Sequence, residues 1–468
     1  MLIDLRGEPV STDNRRALDL YEQALVEFHS YVGDPVATIE AALEESPDFV
    51  LGHAFRATML LLLSERRFAG EIRASVESAE SLLDRANDRE RGLVRAARRW
   101  LDGDWPGACH TWESVLTDHP RDAFALQSAH LTDFFLGDAV NLRDRIARVL
   151  AHWSPDTPGY SYILGMYAFG LEECNHYEKA EEMGRRALDL EARDGWAVHA
   201  VTHVMEMQNR YEDGIEWLMS REGDWAPDNG FAFHNWWHLA VFHLERGEYD
   251  RALDLYDQKI YAEASDVSLT MIDASALLWR LHLYGVDTGA RWNRLADVWS
   301  RKADDENGYY AFNDAHAMMA YLGSGREREA EALLAAVAGS ATGNSSTNAA
   351  MSREVGLPLC HALHAFHQGR YTVTVDLLTR IRSIANRFGG SHAQRDVISQ
   401  TAIEAALRGG LSGAARHLVN ERIEHKPHSP LAWRFMARAL GAEGDSEGAA
   451  AARERAARLS EAKTRQAA

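Results

Sequence analysis

The chain is poor in cysteine. Its 468 residues hold three, Cys109, Cys174 and Cys360, far apart and without a CxxC pair, which excludes a disulfide framework and a thiolate zinc site and fits a reducing compartment. Long hydrophobic runs are missing as well. The greasiest stretch, Met59 to Leu63, falls far short of the roughly 20 residues that span a bilayer, and the N-terminus MLIDLRGEPV has no apolar signal-peptide core. Positive charge is in deficit, 50 Lys+Arg against 70 Asp+Glu for a formal charge of −20. A nucleic-acid partner, which needs clustered cations to meet phosphates, is therefore not expected. The expectation is a cytoplasmic protein with neither membrane nor nucleic acid as partner. No Gly-x-Ser-x-Gly occurs, so a serine hydrolase of the α/β type is disfavoured. Each cysteine lies one or two residues from a histidine, a spacing that puts the pair on different helix faces and argues against a Cys–His nucleophile.

What is present is repetition. In Trp236-Trp237-His238-Leu239-Ala240 through Gly247-Glu248-Tyr249-Asp250-Arg251-Ala252, the aromatic, small, Gly, Tyr and Ala positions follow the tetratricopeptide order of helix, tight turn and second helix. The order returns at Tyr321, Gly325 and Ala330, at Gly369 and Tyr371, at Trp433, Ala437, Gly444 and Ala449, and earlier at Gly103, Trp105, Ala108 and Pro120; Tyr177, Ala180 and Ala187 supply a further second helix. Small residues suit helix contacts, and Gly suits a turn with positive φ. The interval from Gly247 to Gly325 reads as two units, longer than the usual 34 residues. The predicted fold is all-α: a tetratricopeptide-like α-α superhelix, a solenoid of paired antiparallel helices running as one body over 1–468. Residues 338–348, rich in Gly, Ser and Asn, read as a flexible loop, and 450–468 as a C-terminal capping helix and tail.

The chemistry-bearing residues gather in the middle. His199, His203 and Glu206 share one helical face at i, i+4 and i+7, and His234 and His238 stand four apart in the next unit. Asp273 lies on a further helix, Asp314 and His316 on another. The registers place them on the first helix of each pair, the helix that lines the inner groove of such a coil. Within this stretch the strings His199-Ala200-Val201-Thr202-His203-Val204-Met205-Glu206, Phe233-His234-Asn235-Trp236-Trp237-His238, Leu277-Leu278-Trp279-Arg280 and Phe312-Asn313-Asp314-Ala315-His316 resemble the tetratricopeptide repeat protein 38 family. The resemblance spans most of the chain and implies helical repeats throughout; it brings no catalytic assignment.

Three readings of the cluster stand side by side. In the first, His199, His203, His238, Asp273 and His316 do acid–base chemistry of a hydrolase or lyase on a small polar or aromatic molecule. Asp273 or Asp314 orients His316 or His238, Arg280 grips an anionic group bidentately, Glu206, His234 and Asp314 complete the lining, and Trp196, Trp225, Trp237 and Trp279 wall the pocket. In the second, His199, His203 and one of Glu206, His234 or His238 hold a divalent metal, with His199, His203 and Glu206 as the leading candidates. In the third, the polar groups are structural and the concave groove is a scaffold that binds peptides without catalysis. Oligomeric state is left open, a homo-oligomer included. The lone His130, His282 and His392 and the run His361, His364, His367 read as packing and solvent contacts.

Overall fold

The computed structural model describes residues 1–343 and 346–461. Helices follow one another from Arg15–Ser30 to Ser446–Glu461, and the paired strands among the described residues are a two-residue hairpin in which Leu2 faces Val10. The fold is all-α, built of antiparallel helix pairs of tetratricopeptide type.

The turns explain the pairing. Gly247 takes φ +84°; its N–H donates to Leu244 O at 3.0 Å, and the next N–H, of Glu248, reaches back to His243 O at 2.9 Å. A left-handed residue with this six-residue closure stops one helix and returns the chain along it. The same closure recurs with the left-handed residue at 103, 137, 175, 209, 247, 285, 325, 369, 410 and 444. Gly285 divides the long interval into steps of 38 and 40 residues. At 175 and 209 the residue is asparagine, with φ of 63° and 62°, a side chain that tolerates this region better than most. The alanines after the turns, Ala108, Ala180, Ala252, Ala330 and Ala449, are buried where helices touch. Closest is Gly170, where a Cβ would lie 2.4 Å from the Leu142 carbonyl oxygen, so only glycine lets those two helices meet backbone to backbone.

The chain divides into two compact units where one continuous body was expected: 1–201 with 222–232 and 343–349, and 202–221 with 233–342 and the chain from 350 on. The chain returns to the first unit twice after leaving it. In the second of these returns Thr347 donates from its backbone N–H to Gly103 O at 2.8 Å and accepts from the Trp105 N–H at 3.1 Å. The loop expected over 338–348 is correspondingly shorter. Helix Glu327–Ala341 continues through 338–341 because its alanine-rich end keeps helix propensity and buries Val337 and Ala341, and a new helix starts at Thr347. Asn344 and Ser345 of that segment lie outside the described residues, as do 462–468 of the expected C-terminal cap, whose helix is Ser446–Glu461. No helix among the described residues is long and apolar enough to cross a membrane.

In the first unit, burial pushes the His29 and His130 imidazoles down to about 3. Both take up a proton more readily in the unfolded chain, whose histidines titrate near 6.5, so stability is lost as pH falls below that value toward the folded pKa. The loss is expected to reach about 2 kcal/mol per group at pH 5. Urea unfolding at pH 7.5 and pH 5 checks this: the difference between the two pH values should shrink in a His29→Gln/His130→Leu double variant, and an undiminished difference would refute the assignment.

Candidate functional site: a histidine–carboxylate centre in the second unit

Three consecutive first helices build the centre: Gly195–Met207, Ala232–Arg246 and Ser268–Leu283. Asp194 starts the earliest of them, its carboxylate accepting from the Trp196 and Ala197 N–H groups at 3.0 and 2.9 Å. The boundary between the units falls after Val201, so His203 and Glu206 belong to the second. On the next helix His234 and His238, one turn apart, point the same way.

These side chains bond from each repeat to the next. His238 donates from Nδ1 to Glu206 Oε2 at 2.9 Å, and His234 donates from Nδ1 to Asp273 Oδ2 at 2.7 Å. The His203 and His238 ring centroids are 4.5 Å apart, those of His234 and His238 4.8 Å. One potential ligand atom on each of His203, His234 and His238 lies within 4.8 Å of those on the others. Both paired carboxylates and His203 and His238 are at most 1% exposed. His234 stacks on Trp237 at 5.4 Å, and the Arg280 guanidinium lies 5.2 Å from the Trp237 ring centroid.

The electrostatics favour a neutral imidazole at His238. Burial lowers the pKa of His238, and His203, His234, Arg280 and Lys426 push it further in the same direction. A carboxylate accepting at Nδ1 fixes the proton there and places the lone pair on Nε2 in both His234 and His238. Glu206 also faces Lys426, whose Nζ is 3.7 Å from Oε1. Trp237 Nε1 and Asp273 Oδ1 have no protein hydrogen-bond partner among the described residues.

The other expected residues have partners of their own. Asp314 does not orient His316: its carboxylate accepts from the Gly308 N–H at 2.9 Å, because residues two apart on a helix face different ways. His316 instead donates from Nδ1 to Phe312 O at 2.8 Å, and burial holds it down to about 4. Nor is the Arg280 fork offered to an anion, since it donates to the carbonyls of Ala276 at 3.1 Å and Ala393 at 2.8 Å. Trp279 does not wall the centre; it donates to Thr401 Oγ1 at 3.0 Å and packs against Phe366. His199 belongs to the first unit with Trp196 and Trp225, its ring 5.0 Å from Trp196 and 5.2 Å from Phe169. His364 and His367 share the Glu327 carboxylate at 2.9 and 3.1 Å.

Sequence reasoning missed Lys426 and the buried ion pair of Arg422 with Asp396, which flank the centre. One signal was available. Lysine occurs five times in the chain, so a lysine between His425 and Pro427 stands out.

No protein-family model matches the chain. Similar solved structures include a human IFIT1 dimer with m7Gppp-AAAA, at 14% identity over 97% of this chain and 96% of that one, with a TM-score of 0.43. Naa15/Naa10 bound to HypK-THB aligns at 13% identity over 95% of this chain and 63% of that one, TM-score 0.23. The P58(IPK) TPR domain aligns at 13% identity over 81% and 95%, TM-score 0.22. At such scores the fold assignment rests on the chain's own turns.

Arg280 tests how far the centre depends on its supports. Arg280→Met keeps the stem but removes the two hydrogen bonds to the Ala276 and Ala393 carbonyls, and is expected to cost about 2 kcal/mol in urea unfolding. A variant as stable as the parent would show that neither bond matters.

Proposed function

We propose that this tetratricopeptide-like protein, related on its motif strings to the tetratricopeptide repeat protein 38 family, uses the histidine centre of its second unit to hold a divalent metal ion and act hydrolytically on a small polar molecule. The observation that carries the reading is the pair of buried Nδ1–H bonds, His238 to Glu206 and His234 to Asp273, which turn two Nε2 lone pairs into ligands beside His203. Metal-binding histidines characteristically hand their second N–H to a carboxylate in this way, and imidazoles gathered within ligand reach of one another make a donor set for such an ion. Zinc, iron and manganese all suit imidazole nitrogen.

The chain's own groups then have distinct tasks. Glu206 and Asp273 fix the tautomer and ring direction of the two histidines and supply negative charge behind them. His203 completes the set. Trp237 backs His234 and keeps water from that side of the ring. An ion bound there supplies a water acidified to near neutrality as the nucleophile.

Elemental analysis of the purified full chain tests the proposal. About one equivalent of a first-row transition metal per chain is expected, absent from His203→Ala and His238→Ala, with affinity down ~10- to 100-fold in Glu206→Gln. Turnover should be sought with a mixture of small esters, amides and phosphates before and after chelation. A chain that neither carries nor takes up zinc, iron, manganese or cobalt overturns the metal. Metal without turnover of any candidate overturns the hydrolytic part and favours a peptide-binding scaffold. Turnover untouched by chelation favours His238 as a metal-free base.

A further inference from the structure

A cleft of about 410 Å³ opens in the second unit between helices Tyr371–Ile381, His392–Arg408 and Ser412–His425. Its lining carries four permanent cations, Arg382, Arg395, Arg422 and Lys426, against two carboxylates, Asp396 and Glu421. That excess sits in a chain whose formal charge is −20, so the cleft runs against the field of the whole molecule.

The pairings show which cations are committed. Arg422 is spent: it meets both oxygens of Asp396, one at 3.1 Å, and reaches Glu245 at 3.2 Å. Burial and Arg422 act in opposite senses on Asp396, and the arginine wins, holding the carboxyl well below its ordinary range. At the rim, Arg382 meets Glu421 at 3.1 Å with half of its side chain still exposed, a weak surface pair. Lys426 is different. Its side chain is 6% exposed, its ammonium donates no hydrogen bond to a protein acceptor among the described residues, and the Glu206 carboxylate oxygen is 3.7 Å away. An ammonium carries three donors. Its place in the cleft lining lets a ligand oxygen meet them.

We propose that this cleft is a binding site for a small molecule bearing an oxyanion, a phosphate or a carboxylate, with Lys426 as its buried anchor and Arg382 at the approach; Arg395 is held by the Gly389 and Gly390 carbonyls. The apolar part of the lining, Met207, Ile398 and Leu418 among it, takes the uncharged part of such a ligand, and the volume is that of an ordinary metabolite pocket. Lys426 faces one oxygen of Glu206 and His238 bonds the other, so the cleft and the histidine centre meet at that carboxylate while the anion is held by Lys426 rather than by the imidazoles. The proposal does not require a metal in the histidine centre.

Calorimetric titration of the full chain at constant ionic strength tests it, with inorganic phosphate and citrate as probes and chloride as the control. Saturable binding of phosphate, citrate or both is expected, weakened at least tenfold by Lys426→Met and several-fold by Arg382→Gln, and retained in His238→Ala. The stronger probe assigns the oxyanion. Arg382 is on the surface, so its variant keeps the test open if Lys426→Met does not fold. Absence of saturable binding overturns the proposal, as does binding that neither variant weakens. Binding that disappears in His238→Ala also overturns it, since the anion is then held at the histidine centre.

Discussion

Glu206 is the group around which the second unit is organised. A carboxylate this deeply buried is tolerated only where hydrogen bonds and opposite charge replace water, and it has both: the His238 N–H on one oxygen and the Lys426 ammonium facing the other. The first bond sets the tautomer of His238, and through it which nitrogen faces His203 and His234. The second contact holds a cation against the cleft between helices Tyr371–Ile381, His392–Arg408 and Ser412–His425. One ionised side chain thus fixes the chemistry offered on both of its sides, and a neutral residue in its place would leave an imidazole and an ammonium each without its counterpart.

The same logic governs the wider interior. Buried arginines are matched to carboxylates or carbonyls: Arg145 by two bonds to Asp133, at 2.8 and 3.0 Å, and Arg422 by Asp396 and Glu245. Such pairs add little net stability over an apolar core, yet losing one partner is expensive, so they fix the register between helices more than they strengthen it. Among the described residues, Lys426 and Arg89 depart from this pattern: each faces carboxylates without donating a hydrogen bond to them.

Much of the fold was legible because its signal is local. A glycine that must adopt positive φ announces a turn by itself, and Gly103, Gly247, Gly325, Gly369 and Gly444 could be read without knowing what packs against them. The turns at 175 and 209 were hidden by asparagine, which does the same work without the same sequence mark. In the site, the face-sharing of His234 and His238 was readable from helical period alone. The pairings were not. Glu206 meets His238 across 32 positions and Asp273 meets His234 across 39, distances set by how one repeat stacks on the next. Asp314 shows the converse: nearness to His316 in sequence suggested a pair that helix geometry forbids, while Gly308 claims its oxygen.

The centre is a product of stacking. Each contributing helix offers only part of the set, Glu206 and His203 from one, His234 and His238 from the next, Asp273 and Arg280 from the third. Within a single repeat none of the two imidazole–carboxylate bonds can form, because partners on one helix would need to be three or four residues apart. A repeat architecture supplies the missing geometry: successive first helices run in the same direction about 10 Å apart, so side chains at neighbouring heights meet.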